Sequence, residues 1–414
     1  MNHWEHINCC KTIGCRFFGV ANSPFYIHFG SKCRCPECGY FFPVISPDAL
    51  SAFSQQTNQH YAGVLTACPR CGQTAALVRH GQTAKGHPRW RCRACGLSFT
   101  RYAGPAIWES KLSALRDAIA EGESFRSVHK ESKTMSRELA RLAFLAGVEQ
   151  VHFPITALEA EFSTITFTVG FNGGVNQLYV IVTADNATGR VMAVSTNYVA
   201  TREGISQEWW YPSLPGERGV SKGVIRQIFD KDRVISRRPL FFDVAYGPAT
   251  LKCHDPGIVV KPVIAAYRHF ALLQALTANK LLAVQHWLEH ECFLYGACLM
   301  ANRHDIATRR SHIGFVYERG TRDETRRLRS DKVVSSIIWR DLWRCYSQRN
   351  YEMAVCHLTG NPAHSLFRHA TLKPARAFQQ WLIVHPAWMQ LTRLAPRNVV
   401  HLLNYLAAEY NRQR

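Results

Sequence analysis

Residues 68–99 read CPRCGQTAALVRHGQTAKGHPRWRCRACGLSF. Two Cys-x2-Cys pairs, Cys68/Cys71 and Cys92/Cys95, are separated by twenty residues. This spacing is typical of a four-thiolate zinc ribbon, in which two knuckles converge on one tetrahedral ion. The polar hairpin between the pairs is too short to bury a core, so metal binding must supply much of its folding free energy. The alternative is four separate structural cysteines, which the paired spacing argues against.

A second set of cysteines precedes the first. The segments that begin at Cys35 and Cys92 share the pattern Cys-x2-Cys-Gly-x2-Phe, and the pair Cys10/Cys15 lies upstream. We therefore expect tandem ribbons with two structural zinc ions, one held by Cys10, Cys15, Cys35 and Cys38 and the other by Cys68, Cys71, Cys92 and Cys95. Cys9 or Cys33 could replace a ligand of the first ribbon, and a ribbon that has lost its metal is the alternative to that site.

Charge points to a polyanionic partner. The chain carries 50 Lys and Arg against 30 Asp and Glu, a net charge of +20. Residues 1–150 hold 18 basic and 10 acidic side chains, 151–300 hold 13 and 12, and 301–414 hold 19 and 8. Two basic ends flank a nearly neutral middle, a pattern that suits a nucleic acid held at both ends. The candidate contacts in the second hairpin are Arg79, Lys85, Arg89 and Arg91.

Cysteine usage and hydropathy bear on compartment. Ten of the fifteen cysteines precede residue 96, and their Cys-x2-Cys pairing favours reduced, metal-ligating thiolates over disulfides. The first residues lack a basic region followed by an apolar run, and no apolar stretch of about eighteen residues occurs. We expect a cytoplasmic, nucleoid-associated protein without a membrane span.

A helical pattern follows the second ribbon. Residues 105–121 place apolar side chains at three- and four-residue steps behind a proline, and two short segments, 124–132 and 134–147, come next. The pair predicts a helix-turn-helix whose second helix presents Arg137 and Arg141 to DNA. A three-helix bundle without DNA contacts would give the same pattern.

This order of modules resembles the N-terminal DNA-binding region of bacterial insertion-sequence transposases, over about residues 65–148. The residues that carry the resemblance are Cys68, Cys71, Trp90, Arg91, Cys92, Cys95 and Phe99. The resemblance implies that an RNase H-like domain follows, which cuts and joins DNA with two Asp, one Glu and divalent Mg2+ or Mn2+ ions. It also implies double-stranded DNA as the partner, no small-molecule substrate, and a protein that works as a homo-oligomer.

The central region is similar to an RNase H-like domain in its order of elements. Three β-rich runs, 164–171, 177–189 and 190–200, predict an antiparallel meander. A helix over 219–232, a fourth strand over 239–247 and a long helix over 271–302 are predicted to follow.

The carboxylates implied by the resemblance are incomplete. Asp243 fits the acid at the end of the fourth strand, and Glu289 or Glu291 fits the acid on the long helix. The first strand has no acid at the expected place; Glu161 is the nearest substitute, with Glu159 and Asp185 as further options. Two hypotheses follow: a transposase that cuts and joins element-end DNA, or a catalytically degenerate descendant that acts as a sequence-specific DNA-binding regulator or recruitment factor. RNA binding by the ribbons is a third, weaker hypothesis.

The C-terminal third is basic and then apolar. Trp339, Trp343 and Tyr346 alternate with arginines at helical spacing, and the last forty residues predict apolar helices. The fold class is therefore multidomain α+β. Its predicted parts are zinc ribbon 1 (1–45), zinc ribbon 2 (62–103), a helix-turn-helix (104–150), an RNase H-like α/β domain (155–305) and a basic, helical C-terminal region (306–414).

Overall fold

The computed structural model describes residues 7–12, 14–30, 32–45, 68, 76–84, 86, 88–100, 112–125, 132–152, 159–174, 176–200, 223–237, 257–277, 281–323, 325–326, 328–335, 342–359 and 369–414. Their secondary structure is mixed α and β, as the composition and patterning predict.

Two small three-stranded antiparallel sheets form the N-terminal part. The first contains β1 (Ile27–Phe29), β2 (Lys32–Arg34) and β3 (Phe41–Pro43), in that order. The second contains β4 (Leu77–Gln82), β5 (Pro88–Cys92) and β6 (Ser98–Thr100). Both sheets have the same strand order, so the sequence repeat around the cysteines corresponds to a structural repeat.

A larger sheet forms the centre of the molecule. Its strands are β7 (Glu159–Phe171), β8 (Asn176–Asp185), β9 (Val191–Thr196), β12 (Ala283–Leu288), β13 (Ser311–Gly320), β14 (Arg329–Ser335), β15 (Leu342–Gln348) and β16 (Tyr351–His357). They lie in the order β14-β15-β16-β13-β12-β7-β8-β9. β12 runs parallel to both β7 and β13, and the other pairs are antiparallel. The three predicted strands of the meander are thus β7, β8 and β9.

Helices cover this sheet. They are α1 (Ser113–Glu121), α2 (Ser132–His152), α3 (Val224–Arg237), α4 (Pro262–Thr277), α5 (Cys292–Ala301), α6 (Arg303–Ala307), α7 (Lys373–Val384), α8 (Trp388–Arg393) and α9 (Pro396–Arg412). A short ladder pairs β10 (Tyr198–Val199) with β11 (Ile258–Val259). α4 and α9 each begin with a proline, which suits a first helical position because its missing N–H would have no partner there.

α2 and α9 pack together over the edge strand β9. The side-chain amide of Asn411 binds the first residue of that strand: it accepts from the Val191 N–H at 2.7 Å and donates to the Val191 carbonyl at 2.8 Å. Arg412 Nε lies 3.0 Å from Glu149 Oε2 on α2. The apolar C-terminal segment therefore packs onto the central core, to which Leu402, Leu403 and Leu406 belong.

The prediction of one long helix over 271–302 is wrong. The segment contains the end of α4, the strand β12 and the helix α5. Ala283–Leu288 cannot be assigned by periodicity alone, because four of its six residues are apolar without strict alternation, and a strand buried on both faces then resembles a segment of buried helix. β12 is such a strand, since it lies between β7 and β13.

The helix predicted from the spacing in residues 339–349 is also wrong over the part that the structure describes. Leu342–Gln348 form β15, and the Trp343 side chain is fully buried. The central sheet continues across the predicted boundary at 305 as far as His357, so the basic segment contributes strands to it. The predicted fourth strand, 239–247, lies outside the described residues. Among the described helices none is both long and apolar enough to cross a bilayer.

The first small sheet is docked onto the central domain. Ile7, Cys9 and Ile45 belong to the same hydrophobic core as the central sheet and its helices. Lys11 lies at this junction, with Nζ 5.5 Å from the Phe42 ring centroid and 5.9 Å from the Tyr267 ring centroid on α4. Its carbonyl accepts a hydrogen bond from the Tyr295 hydroxyl of α5 at 3.5 Å.

Candidate metal centres and nucleic-acid interface

Four cysteines of the first ribbon converge on one point. The Sγ atoms of Cys10, Cys15, Cys35 and Cys38 all lie within 4.8 Å of one another. Cys10 Sγ is 3.4 Å from Cys38 Sγ, and Cys15 Sγ is 3.7 Å from Cys35 Sγ. A tetrahedral zinc ion with Zn–S bonds of about 2.3 Å separates its sulfurs by about 3.8 Å. The four thiols therefore fit the expected ion in number, chemistry and spacing.

The knuckle after Cys35 has the geometry that this ligand set requires. The Gly39 N–H donates to the Cys35 carbonyl at 3.0 Å, and Gly39 has φ of 72°, a left-handed conformation that glycine adopts without a steric penalty. Burial raises the pKa of the Cys10 thiol. Burial also acts to raise the pKa of Cys38, but hydrogen bonds with Thr12 and the Tyr40 backbone bring it down to about 7.

The two alternative ligands lie elsewhere. Cys9 is buried, and its thiol lies 3.5 Å from the Met300 sulfur of α5. The Cys33 thiol lies 3.2 Å from His28 Nδ1 across the β1–β2 pair. Both cysteines therefore make contacts of their own, outside the four-sulfur group.

The second ribbon repeats this arrangement. Cys68, Cys92 and Cys95 have their Sγ atoms within 4.8 Å of one another, and Cys68 Sγ is 3.5 Å from Cys95 Sγ. Gly96 donates to the Cys92 carbonyl at 2.9 Å with φ of 73°, as Gly39 does in the first ribbon. The fourth predicted ligand, Cys71, lies outside the described residues. The two cysteine clusters support structural zinc.

The second ribbon presents cations on both faces of its sheet. Arg79, Arg89 and Arg91 are all exposed. Arg79 is paired with Trp90, and its guanidinium carbon lies 5.9 Å from the Trp90 ring centroid. Arg91 faces Val78 and Ser98, so it lies on the opposite face from Trp90 because successive residues alternate. Lys85 lies outside the described residues.

The two arginines predicted on a recognition helix differ in their surroundings. Both lie on α2, a helix of 21 residues that packs through Leu139, Leu142 and their neighbours. Both pair with the buried Glu138 carboxylate, Arg137 at 3.6 Å and Arg141 at 2.7 Å, but Arg137 keeps 63% of its side chain exposed and Arg141 30%. Arg137 is therefore the better placed of the two for a phosphate. Residues 126–131 lie outside the described part, so the helix-turn-helix stays a prediction.

The predicted catalytic carboxylates that the structure describes have separate hydrogen-bond partners. Glu161 on β7 accepts a hydrogen bond from the Trp287 indole at 2.8 Å. Glu289 follows β12 directly and accepts from the backbone N–H and the hydroxyl of Thr166, at 2.8 and 2.5 Å. Thr166 is five residues beyond Glu161 on the same strand, a separation of about 17 Å. Glu161 and Glu289 are therefore held by different partners.

The remaining candidates have other positions. Glu291 immediately precedes α5, is 2% exposed, and pairs with Lys231 of α3. Neither Glu289 nor Glu291 lies on a long helix, contrary to the prediction. Asp185 accepts from the Thr188 N–H and hydroxyl in the turn after β8, and Glu159 is exposed at the start of β7. Asp243 lies outside the described residues.

A buried polar cluster surrounds Glu291 and was missed in the sequence. His290 Nε2 lies 3.8 Å from Asp232 Oδ1, and His290 Nδ1 lies 3.2 Å from the Tyr317 hydroxyl. Burial raises the pKa of Tyr317 well above its ordinary value, and the nearby charges of Glu289, Glu291 and Asp232 act in the same direction. The cluster lies at the carboxyl ends of the parallel strands β12 and β13. The Glu-His-Glu run after an apolar stretch was the available signal.

Comparison with known proteins agrees with the geometry of the second ribbon. Residues 61–96 match the family described as the InsA N-terminal domain, a zinc ribbon. The chain contains an InsA-like zinc ribbon. Over 60 residues it is 59% identical to the insertion element iso-IS1N protein InsA of Shigella dysenteriae. That alignment covers 14% of this chain and 62% of the relative. No solved structure matches the chain.

Proposed function

We propose that the chain is a zinc-dependent DNA-binding protein of the insertion-element type that recognises the end sequences of such an element. The observation that carries this proposal is the second ribbon: three converging thiols, exposed arginines on both faces of its sheet, and similarity to InsA over residues 61–96. Zinc holds the hairpin in one conformation, and the arginines bind phosphates and base edges of duplex DNA.

Selection from a random duplex pool with the zinc-loaded chain would give the DNA site, whose affinity is then measured by fluorescence anisotropy. We expect the triple variant Arg79→Gln, Arg89→Gln, Arg91→Gln to weaken binding strongly and to reduce the salt slope by about 3, because each phosphate contact contributes about 0.9. The matched control is Arg226→Gln with Arg233→Gln, two exposed arginines of α3. Equal affinity in the triple variant and the control, or binding that survives removal of zinc, would refute the proposal.

The order of the central strands supports an RNase H-like origin for the rest of the chain. β9-β8-β7-β12-β13 is an antiparallel meander followed by two strands parallel to its first strand. The meander agrees with the element order that the resemblance to insertion-sequence transposases implies, whereas the predicted fourth strand, 239–247, lies outside the described residues. Glu289 follows the fourth of these strands, which is the place of an acid in that fold.

The immediate neighbour of Glu289 favours a descendant that binds DNA without cutting it. The β7 residue that faces Glu289 is Thr166, and both of its donors bind the Glu289 carboxylate. A threonine in place of an acid removes one ligand of a two-metal site, since hard Mg2+ and Mn2+ ions need carboxylate oxygens. We therefore place a regulator or recruitment role first.

Strand cleavage and joining is the second candidate, and the position of Glu289 favours it. Its test is nicking and joining of the selected DNA by the chain with Mn2+. Activity that is abolished by Asp243→Asn and by Glu289→Gln, with DNA affinity unchanged, would establish cleavage. Absence of nicking while duplex affinity is intact would support the binding role. Competition between duplex DNA and a structured RNA would distinguish DNA recognition from RNA recognition.

A further inference from the structure

The sheet of the first ribbon has two unlike faces. Directly opposed residues of an antiparallel pair share a face, and successive residues alternate. One face therefore carries His28, Cys33 and Phe42, and the other carries Ile27, Phe29, Lys32, Arg34 and Phe41. We call the first set the inner face and the second set the outer face.

The inner face is directed toward the central domain. Phe42 is buried, and Lys11 Nζ lies between the Phe42 ring and the Tyr267 ring of α4. Ile7, Cys9 and Ile45 anchor the ribbon in the central core. The outer face is consequently held away from the central domain, in a fixed orientation.

The outer face exposes large apolar groups. Phe29 is 52% exposed, Phe41 41% and Ile27 45%. The Phe29 and Phe41 ring centroids are 5.8 Å apart, so the two rings form one continuous surface. Single exposed apolar side chains are common on proteins, but adjacent exposed rings indicate a binding surface.

Cations accompany these rings. Arg34 places its guanidinium carbon 5.8 Å from the Phe41 ring centroid, and Lys32 is opposite Phe29. Within residues 7–45 the sequence contains one acidic residue, Glu37, and its carboxylate pairs with Arg16 at 2.7 Å. The outer face therefore combines two aromatic rings with two cations and carries no acidic side chain.

We propose that the outer face of the first ribbon binds single-stranded DNA, with unpaired bases stacked on Phe29 and Phe41 and a phosphate bound by Arg34. Every base has a π face, so such a surface binds single strands with little sequence preference. In a duplex those π faces are covered by neighbouring bases, and the rings have nothing to stack on. The absence of acids on this face favours a polyanion over a protein partner. This site goes beyond duplex recognition and uses a surface separate from the second ribbon.

The test measures the affinity of the full, zinc-loaded chain for a fluorescent 20-mer of thymidylate and, in parallel, for duplex DNA. The double variant Phe29→Leu, Phe41→Leu keeps the apolar area and removes the rings. We expect it to weaken single-strand binding about 100-fold, about tenfold for each lost stacking partner, and to change duplex affinity less than about twofold. Phe29→Trp with Phe41→Trp retains the rings and is expected to retain binding.

The matched control is Phe229→Leu, an exposed ring of α3 with 37% exposure, which should leave single-strand affinity unchanged. Equal zinc content in all variants shows that the ribbons remain folded. The proposal is overturned if the wild-type chain does not bind the thymidylate oligomer, or if the double leucine variant binds it as well as the wild type does. Self-association of the wild type that the double leucine variant loses, without single-strand binding, would assign the face to a second copy of the chain. If the wild-type chain does not bind duplex DNA, that result counts instead against the proposed function.

Discussion

Glu289 and Thr166 are joined by two hydrogen bonds: Glu289 Oε2 accepts from the Thr166 N–H at 2.8 Å and from the Thr166 hydroxyl at 2.5 Å. These bonds connect the residue after β12 to the middle of β7. The Glu289 N–H also donates to the Thr164 carbonyl at 2.9 Å, which extends the pairing of the two strands by one residue. In this state the carboxylate stabilises the junction of two central strands.

Thr166→Val should therefore destabilise the chain. The substitution keeps the side-chain shape and removes one donor from a part-buried carboxylate, and hydrogen bonds to charged groups contribute about 1.5–3 kcal/mol. We expect the free energy of unfolding to fall by about that amount in urea titration. Thr188→Val is the matched control, since its hydroxyl donates to Asp185 at 2.6 Å in an exposed turn. Equal losses of unfolding free energy in the two variants would show that the Thr166–Glu289 hydrogen bond stabilises the chain no more than the exposed Thr188–Asp185 bond does.

Two buried histidines make stability depend on pH. Burial lowers the pKa of His269 to about 3, and the neighbouring Arg268 adds to this effect; burial lowers the pKa of His286 to about 4. Both rings are thus neutral in the folded chain, while the unfolded chain takes up protons below about pH 6.5. The contribution of the two neutral rings to the free energy of unfolding is fully present above about pH 6.5 and is lost as the pH falls toward about 4. The expected slope is about 1.4 kcal/mol per pH unit for each ring.

His269→Gln tests this dependence. Its side-chain amide can replace the imidazole contacts to Thr183 and Ser195, which lie at 2.7 and 3.0 Å, but cannot titrate. Urea titrations between pH 6.5 and 4.5 should show a slope lower than that of the wild type by about 1.4 kcal/mol per unit. His80→Gln, which changes an exposed residue of β4, is the control. An unchanged slope in His269→Gln would show that the lowered pKa of His269 is not a source of the pH dependence.

Local patterns predicted the elements whose signal lies within a few residues. The repeated Cys-x2-Cys-Gly pattern predicted both cysteine groups, and β-rich runs predicted β7, β8 and β9, because a knuckle or a run of strand-forming residues is encoded by its own residues. β12 could not be predicted in this way. Its assignment depends on where it lies in the sheet, since its six residues, four of them apolar, fit a segment of buried helix equally well.

Contacts between distant residues were outside the reach of the sequence pattern. Thr166 and Glu289 are 123 residues apart, and their bond depends on β12 pairing with β7 in one register. The contact of Lys11 with Tyr267 depends in the same way on the docking of a small ribbon against a helix. Trp343 was predicted on a helix beside arginines, yet it is buried in β15, because the tertiary position of that segment decides its structure.

Gly122→Ala should cost more than the same substitution at Gly189. Both glycines have positive φ, 71° and 72°, a conformation that L side chains rarely adopt. A Cβ at Gly122 would lie 2.5 Å from the Pro386 carbonyl oxygen, whereas a Cβ at Gly189 would meet nothing within 4 Å. Backbone strain of about 1 kcal/mol is therefore common to both variants, and overpacking of about 1–3 kcal/mol is added at Gly122. Equal midpoints in thermal unfolding would contradict the close packing of α1 against the segment that follows α7.

Loss of zinc from the first ribbon should loosen the central domain, whereas loss from the second should not. Ile7, Cys9 and Ile45 of the first ribbon belong to the central core, while none of the described residues of the second ribbon does. Cys38→Ser and Cys95→Ser each remove one thiolate from a different cluster, so each should lower the zinc content from two ions per chain to one.

Hydrogen exchange distinguishes the two variants. In Cys38→Ser the backbone amides of α4 and α5 should exchange faster, because the ribbon that covers Tyr267 and Met300 loses the metal that folds it. In Cys95→Ser the same amides should keep the wild-type rates, and only those of β4 to β6 should change. Suppose that both variants lose zinc but the amides of α4 and α5 keep the wild-type exchange rates in both. The first ribbon then does not stabilise the central domain, and its zinc stabilises that ribbon alone.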